Sequence, residues 1–65
     1  MQNIGDFVIH QETGLFGKVV GYGHQIVDAI YQPTLKVKVA GGSKDLSRER
    51  FAEDISSAWQ QLYFK

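Results

Sequence analysis

The stretch "GDFVIHQETGLFGKVVGYGH", residues 5–24, holds two alternating apolar runs separated by a turn and followed by a second group of glycines. In "DFVIH", Phe7 and Ile9 point one way and Val8 and His10 the other, which is the period of a strand. "QETG" is turn chemistry, with Gly14 free to take a positive φ. "LFGKVVGYG" reads as a second strand interrupted by Gly17 and Gly21, and glycine inside a strand often marks a bulge or a tight bend. The stretch predicts a hairpin, the opening of a small antiparallel β domain.

Downstream, "TLKVKVA" (34–40) is the cleanest strand pattern. Leu35, Val37 and Val39 form one face, Thr34, Lys36 and Lys38 the other, and Pro33 precedes them where a missing N–H does no harm. "QIVDAIYQ" (25–32) suits a strand or one or two helical turns; its β-branched and aromatic residues favour a strand or an extended loop. "AGGSKD" (40–45) is the clearest break. After it, Phe51, Ile55, Ala58 or Trp59, and Leu62 recur at steps of three and four, which predicts an amphipathic helix in the 52–63 region. Glu53 and Asp54 near its start and Lys65 at its end suit the helix dipole. "DLSRERF" (45–51) reads either as the first helical turn or as a last strand ending at Phe51.

The expected fold is mostly β with a C-terminal helix: one SH3/Tudor-like domain over residues 1–65, an antiparallel barrel or curved sheet. Strands fall within 4–46, at 6–10, 16–23 and 34–40, and the helix within 48–64 lays Ile55, Trp59 and Leu62 on the sheet. A chain of 65 residues buries only about 60% of its unfolded surface. With no cysteine it has no disulfide staple, so it must fold on its own apolar core or share one with a partner or a second copy. A 43% hydrophobic composition makes an independent core feasible.

Seven basic residues balance seven acidic ones, which argues against a protein living on nucleic acid through bulk charge. No apolar run nears the roughly 20 residues that span a bilayer. "MQNIGDF" has no basic segment leading into an apolar one, so a soluble, cytoplasmic protein without membrane insertion is expected.

Few residues suggest chemistry. "GYGH" (21–24) is neither a P-loop nor a dinucleotide fingerprint, because no Gly-Lys-Ser/Thr and no third glycine follow. His10 and His24 lack the spacing of a zinc motif. Ser43, His24 and Asp28 compose a triad on paper only, with no nucleophile elbow. The expectation is a protein that is not an enzyme and has no cofactor and no metal. Lys18, Lys36 and Lys38, with Tyr22 and Tyr31 nearby, compose a basic and aromatic sheet face of the kind that stacks bases and holds phosphates. Lysines on a solvated strand face also deter aggregation.

Gly5, Asp6, Val8, His10, Gly14, Gly17, Val19 and Gly21 carry a resemblance. The hairpin is similar to the one opening the Tudor-like RNA-polymerase-interacting domain of CarD-type regulators and of the transcription-repair coupling factor. "LKVKVAGGSKDL" (35–46) resembles the later strand and turn of that domain. "RFAEDI" (50–55) is similar to the end of the small SH3-like subunit on the stromal side of photosystem I. Both resemblances imply a non-catalytic docking module or accessory subunit of a larger complex, transcriptional or photosynthetic. Tyr22, His24 and Tyr31 are the candidate contacts, since tyrosine is enriched at interfaces. The alternative is a small nucleic-acid-binding barrel using Lys18, Lys36 and Lys38, which the neutral charge disfavours.

Overall fold

The computed structural model describes residues 2–40 and 50–63. The first hairpin forms where the alternation places it: β1 spans Phe7–His10 and β2 Phe16–Val27. The turn between them is closed by backbone hydrogen bonds. The His10 amide donates to Leu15 O (2.7 Å) and the Gly14 amide to His10 O (3.0 Å), with Gly14 at φ +75°. β3 spans Ile30–Val39, so the ambiguous "QIVDAIYQ" segment continues β2 and begins β3 around a two-residue turn. Asp28 (φ 50°) and Ala29 (φ 64°) both occupy the left-handed region, as a type I′ hairpin turn requires. β4 spans Phe51–Ile55, a single 3-10 turn Ser56–Ala58, and β5 Trp59–Leu62.

All neighbours pair antiparallel, in the order β4-β3-β2-β1-β5. The sheet is not closed; β4 and β5 are its edges. One face buries the core of Val8, Val19, Leu35, Val37 and Trp59. Ala52 packs against it. No helix among the described residues is long and apolar enough to cross a membrane.

The expected C-terminal helix is absent from the described residues; strand, 3-10 turn and strand occupy its place. The reason lies in the inward positions. Ala52, Asp54, Trp59 and Gln61 share the sheet face of the core, because their register partners are Val37, Leu35, His10 and Val8. Two of these four are polar, and both are bonded: Asp54 to His10, and Gln61 Nε2 to Asp6 Oδ2 at 2.9 Å. Polar residues on the buried face erase the alternation that marks a strand, and the coincidental three-and-four spacing of Phe51, Ile55, Trp59 and Leu62 remains. Trp59 is core (3% exposed), but it sits at the start of β5 rather than on a helix. The "GGSKDLSRE" segment (41–49), with its expected turn and the start of "DLSRERF", lies outside the described residues, and Phe51 opens β4.

Candidate docking interface

Hydrogen-bond direction follows from register. The Val39 amide donates to Arg50 O of β4 (2.8 Å) and the Ala40 amide to Phe16 O of β2 (2.8 Å). Along β3, odd-numbered residues therefore face β4 and even-numbered residues face β2. Their partners on β2, among them Gly21, Gly23, Gln25 and Val27, bond to β3. Tyr22, His24 and Ile26 must then turn their backbone N–H and C=O groups to the other side of β2. β1 pairs with β2 only at Phe16–Lys18, and the ladder ends where the Val19 amide donates to Asp6 O and the Gly5 amide donates to Val19 O (2.9 Å each). From Tyr22 to Ile26 no described strand covers this side. The edge carries no charge and no proline. Its counterpart on β3 is different: Pro33 faces outward there, where it has no N–H to offer.

The side chains of Tyr22, His24 and Ile26 share one sheet face with Leu35, Pro33 and Tyr31, their register partners. That face is continuous with the core but runs beyond it along the β2–β3 arm. Ile26 (61%) and Tyr31 (69%) are strongly exposed there, and His24 leans on Tyr31 with ring centroids 5.4 Å apart. The Tyr22 hydroxyl donates to Gln2 O at 2.7 Å. The three candidate contacts Tyr22, His24 and Tyr31 thus lie together on one face of the arm. The other face of the tip carries Val27 and Ile30, also exposed.

Lys18, Lys36 and Lys38 lie on the opposite sheet face, away from Tyr22 and Tyr31. The cause is a β-bulge between Val19 and Gly21. Strict alternation from Lys18 would put Tyr22 on the lysine face, but one extra residue flips everything after it. The aromatic partners of the lysines are phenylalanines instead. Phe7 pairs with Lys18, Lys18 with Lys38, and Lys38 with Phe51.

The glycines of "GLFGKVVGYG" have separate structural duties. A Cβ on Gly17 would clash with Lys38 O and stand 2.7 Å from Val37 Cγ1. A Cβ on Gly23 would clash with Glu53 Oε2 and stand 2.8 Å from Thr34 Oγ1. Gly23 therefore makes room for a bridge in which the buried Thr34 hydroxyl donates to Glu53 Oε2 (2.5 Å), tying β3 to β4 beneath β2.

His10 is buried, edge-on to Trp59 with centroids 4.9 Å apart. Its Nδ1 accepts the Glu12 and Thr13 amides, each at 3.2 Å, so its proton resides on Nε2 and is donated to Asp54 Oδ2 at 2.8 Å. That bond, with the Ile55 amide on Oδ1 (2.7 Å), holds the Asp54 carboxyl below its ordinary pKa, against a small opposing effect of burial. A shallow groove of about 230 Å³ opens here beside Thr13, Leu15 and Ala52. The two histidines are not brought together: His10 sits under β4 and His24 on the arm. Asp28 lies in the arm's turn, and Ser43 lies outside the described residues. Among the described residues no three His, Asp or Glu side chains gather as a metal site.

Neither the edge nor the His10–Asp54 pair was legible as such in the sequence. The one clue to the edge was Pro33, which marks which side of the arm is guarded. Compared with known proteins, the chain matches no family model, no curated protein and no solved structure.

Proposed function

We propose that the chain is a docking module that takes an extended segment of a partner protein onto the open edge of β2. The observation that carries this reading is the uncharged, unguarded edge at Tyr22, His24 and Ile26, flanked by an exposed aromatic and apolar face. Strand addition supplies main-chain hydrogen bonds for affinity and alternate side chains for specificity. Tyr22, His24, Ile26 and Tyr31 would receive every second side chain of the incoming segment. Natural edges are usually blunted by lysine, proline or a bulge; one left bare along an apolar face suits a partner.

The SH3/Tudor-like reading draws support from the strand order β4-β3-β2-β1-β5 and the 3-10 turn that enters the last strand. With it comes the partner class: RNA polymerase or another large complex, with this chain as an accessory subunit. A role without catalysis is the reading kept here, with both ring nitrogens of His10 engaged in hydrogen bonds inside the protein.

The test is affinity capture with edge variants. His24→Pro removes one outward N–H without breaking a β2–β3 bond, and Ile26→Lys places a charge on the edge. Each should abolish the partner band that the wild-type chain captures. A second copy is an alternative donor of the added strand, and sedimentation of the purified chain distinguishes it. Capture undiminished by both variants would refute strand addition at β2.

A further inference from the structure

A second site, independent of the arm, lies where β4 comes over β1: Asp54 bonds His10 although β3 and β2 stand between their strands in the sheet. The shallow groove of about 230 Å³ there has two buried lining residues, His10 and Trp59, which form its floor. The polar ring atoms of that floor are bonded, with one exception. His10 Nδ1 accepts two amides, and Nε2 meets Asp54 Oδ2 at 2.8 Å. Trp59 Nε1 is fully buried and has no acceptor among the described residues. A buried donor left unpaired carries the cost of its desolvation, and an acceptor that reaches it recovers that loss. The rim says which acceptor. Glu12, Glu53 and Asp54 line it, and no lysine or arginine does, so a phosphate or a carboxylate would be repelled. Two of these acids are committed, Asp54 to His10 and the Ile55 amide and Glu53 to the Thr34 hydroxyl. Glu12 is exposed, and its carboxylate has no hydrogen bond to a described residue.

We infer that this groove is a binding site for a primary carboxamide, whose oxygen accepts the Trp59 indole N–H while its amino group donates to the Glu12 carboxylate. The carboxamide is neutral, so the rim does not repel it, and one head group carries both an acceptor and two donors. A cation would suit the carboxylates but not the indole, since ammonium and guanidinium groups have no acceptor. Leu15 and Ala52 give apolar contact to the carbon that bears the amide. A main-chain amide is held between two Cα atoms and brings its strand with it, which a groove of about 230 Å³ with a buried floor does not admit. The head group belongs either to a glutamine or asparagine side chain of another protein or to a free small amide.

Trp59 is the one tryptophan of the chain, so its indole N–H gives a single resonance in a proton–nitrogen correlation spectrum of the full chain. Acetamide is titrated against that resonance, beside acetate and methylammonium as ions of similar size and N,N-dimethylacetamide as an acceptor without donors. Acetamide should shift the indole proton downfield and saturably, with a Kd below about 100 mM. Acetate and methylammonium should leave it in place. Dimethylacetamide on the wild type, and acetamide on Glu12→Ala, should each bind about 2- to 10-fold more weakly. Circular dichroism checks that this exposed-turn variant stays folded. A capped peptide of one glutamine between two alanines separates the sources. Binding tighter than that of acetamide assigns the site to a protein side chain; equal or weaker binding assigns it to a free amide. An indole resonance unmoved by acetamide, either ion binding as tightly as acetamide, or an unchanged affinity in Glu12→Ala would each overturn the inference. Glu12 lies in the turn before β2, away from the edge at Tyr22 to Ile26, so this site and the docking reading fail separately.

Discussion

Replacing Gly23 by alanine tests whether the glycine exists to admit the Thr34–Glu53 bridge. Gly23 is not in the left-handed region, so alanine is allowed by the backbone and the effect must come from its methyl group. That methyl would displace the Glu53 carboxylate and crowd Thr34 Oγ1 at 2.8 Å. Glu53 is exposed and can swing away, but Thr34 is fully buried and cannot follow. The loss is then a hydrogen bond to a charged acceptor together with an orphaned buried hydroxyl, about 2–3 kcal/mol. For a chain of this size, with about 3–10 kcal/mol of total stability, that is a large share. In a Glu53→Ala background the bridge is already gone. There only the contact with Thr34 Oγ1 remains, so the substitution should cost less than in the wild type by about the energy of the lost bridge. The coupling energy from urea denaturation of the four proteins should be about 2 kcal/mol. Equal cost of Gly23→Ala in both backgrounds would refute the steric account.

Asp54→Ala leaves the buried His10 Nε2–H without its acceptor and should cost about 1–2 kcal/mol near neutral pH, the lower part of the range for such groups because Asp54 is partly exposed. Since the folded-state pKa of Asp54 is depressed, its contribution is present above the unfolded carboxylate value, about 4, and is lost as pH falls through the folded value. The stability gap between wild type and variant should therefore narrow on acidification; a gap constant from about pH 6 to 3 would contradict the assignment. Ala29→Gly should stabilise the chain by about 1 kcal/mol, because Ala29 holds φ 64° in a turn whose preferred dipeptide is Asp-Gly, and thermal denaturation should show a rise of about 4–8 °C.

The hairpin and the core face of β3 were readable from alternation alone, because Val8, Val19, Leu35 and Val37 are apolar and their neighbours mostly are not. β4 and β5 were not, because their inward positions hold an aspartate and a glutamine whose partners, His10 and Asp6, lie more than forty residues away in the chain. Periodicity registers what a residue is, not what it meets. The three lysines read as one sheet face do share a face, although Lys36 stands in a different rung from Lys18 and Lys38. Their aromatic neighbours were misread, since a single bulge residue after Val19 transfers Tyr22 to the opposite face. Gly21 hinted at that bulge, but nothing local says where an inserted residue falls. Tyr22, His24 and Tyr31 were legible as a group; the bare edge beside them depends on how far β1 extends, which the sequence of β2 does not contain.

The strand order also governs the sequence of events in folding. β2 and β3 are joined by two residues, so their ladder needs almost no loop closure and can form in microseconds. β5 joins β1 at the far end of the chain, Trp59 opposite His10, and cannot pair until most of the chain has collapsed. The core indole therefore arrives last. Until it does, Val8 and Val19 lie uncovered beside an unprotected strand edge, and any delay in β5 docking lengthens the interval in which two chains can pair wrongly. On the ribosome that interval begins before residues 59–62 have emerged, while the arm is already complete.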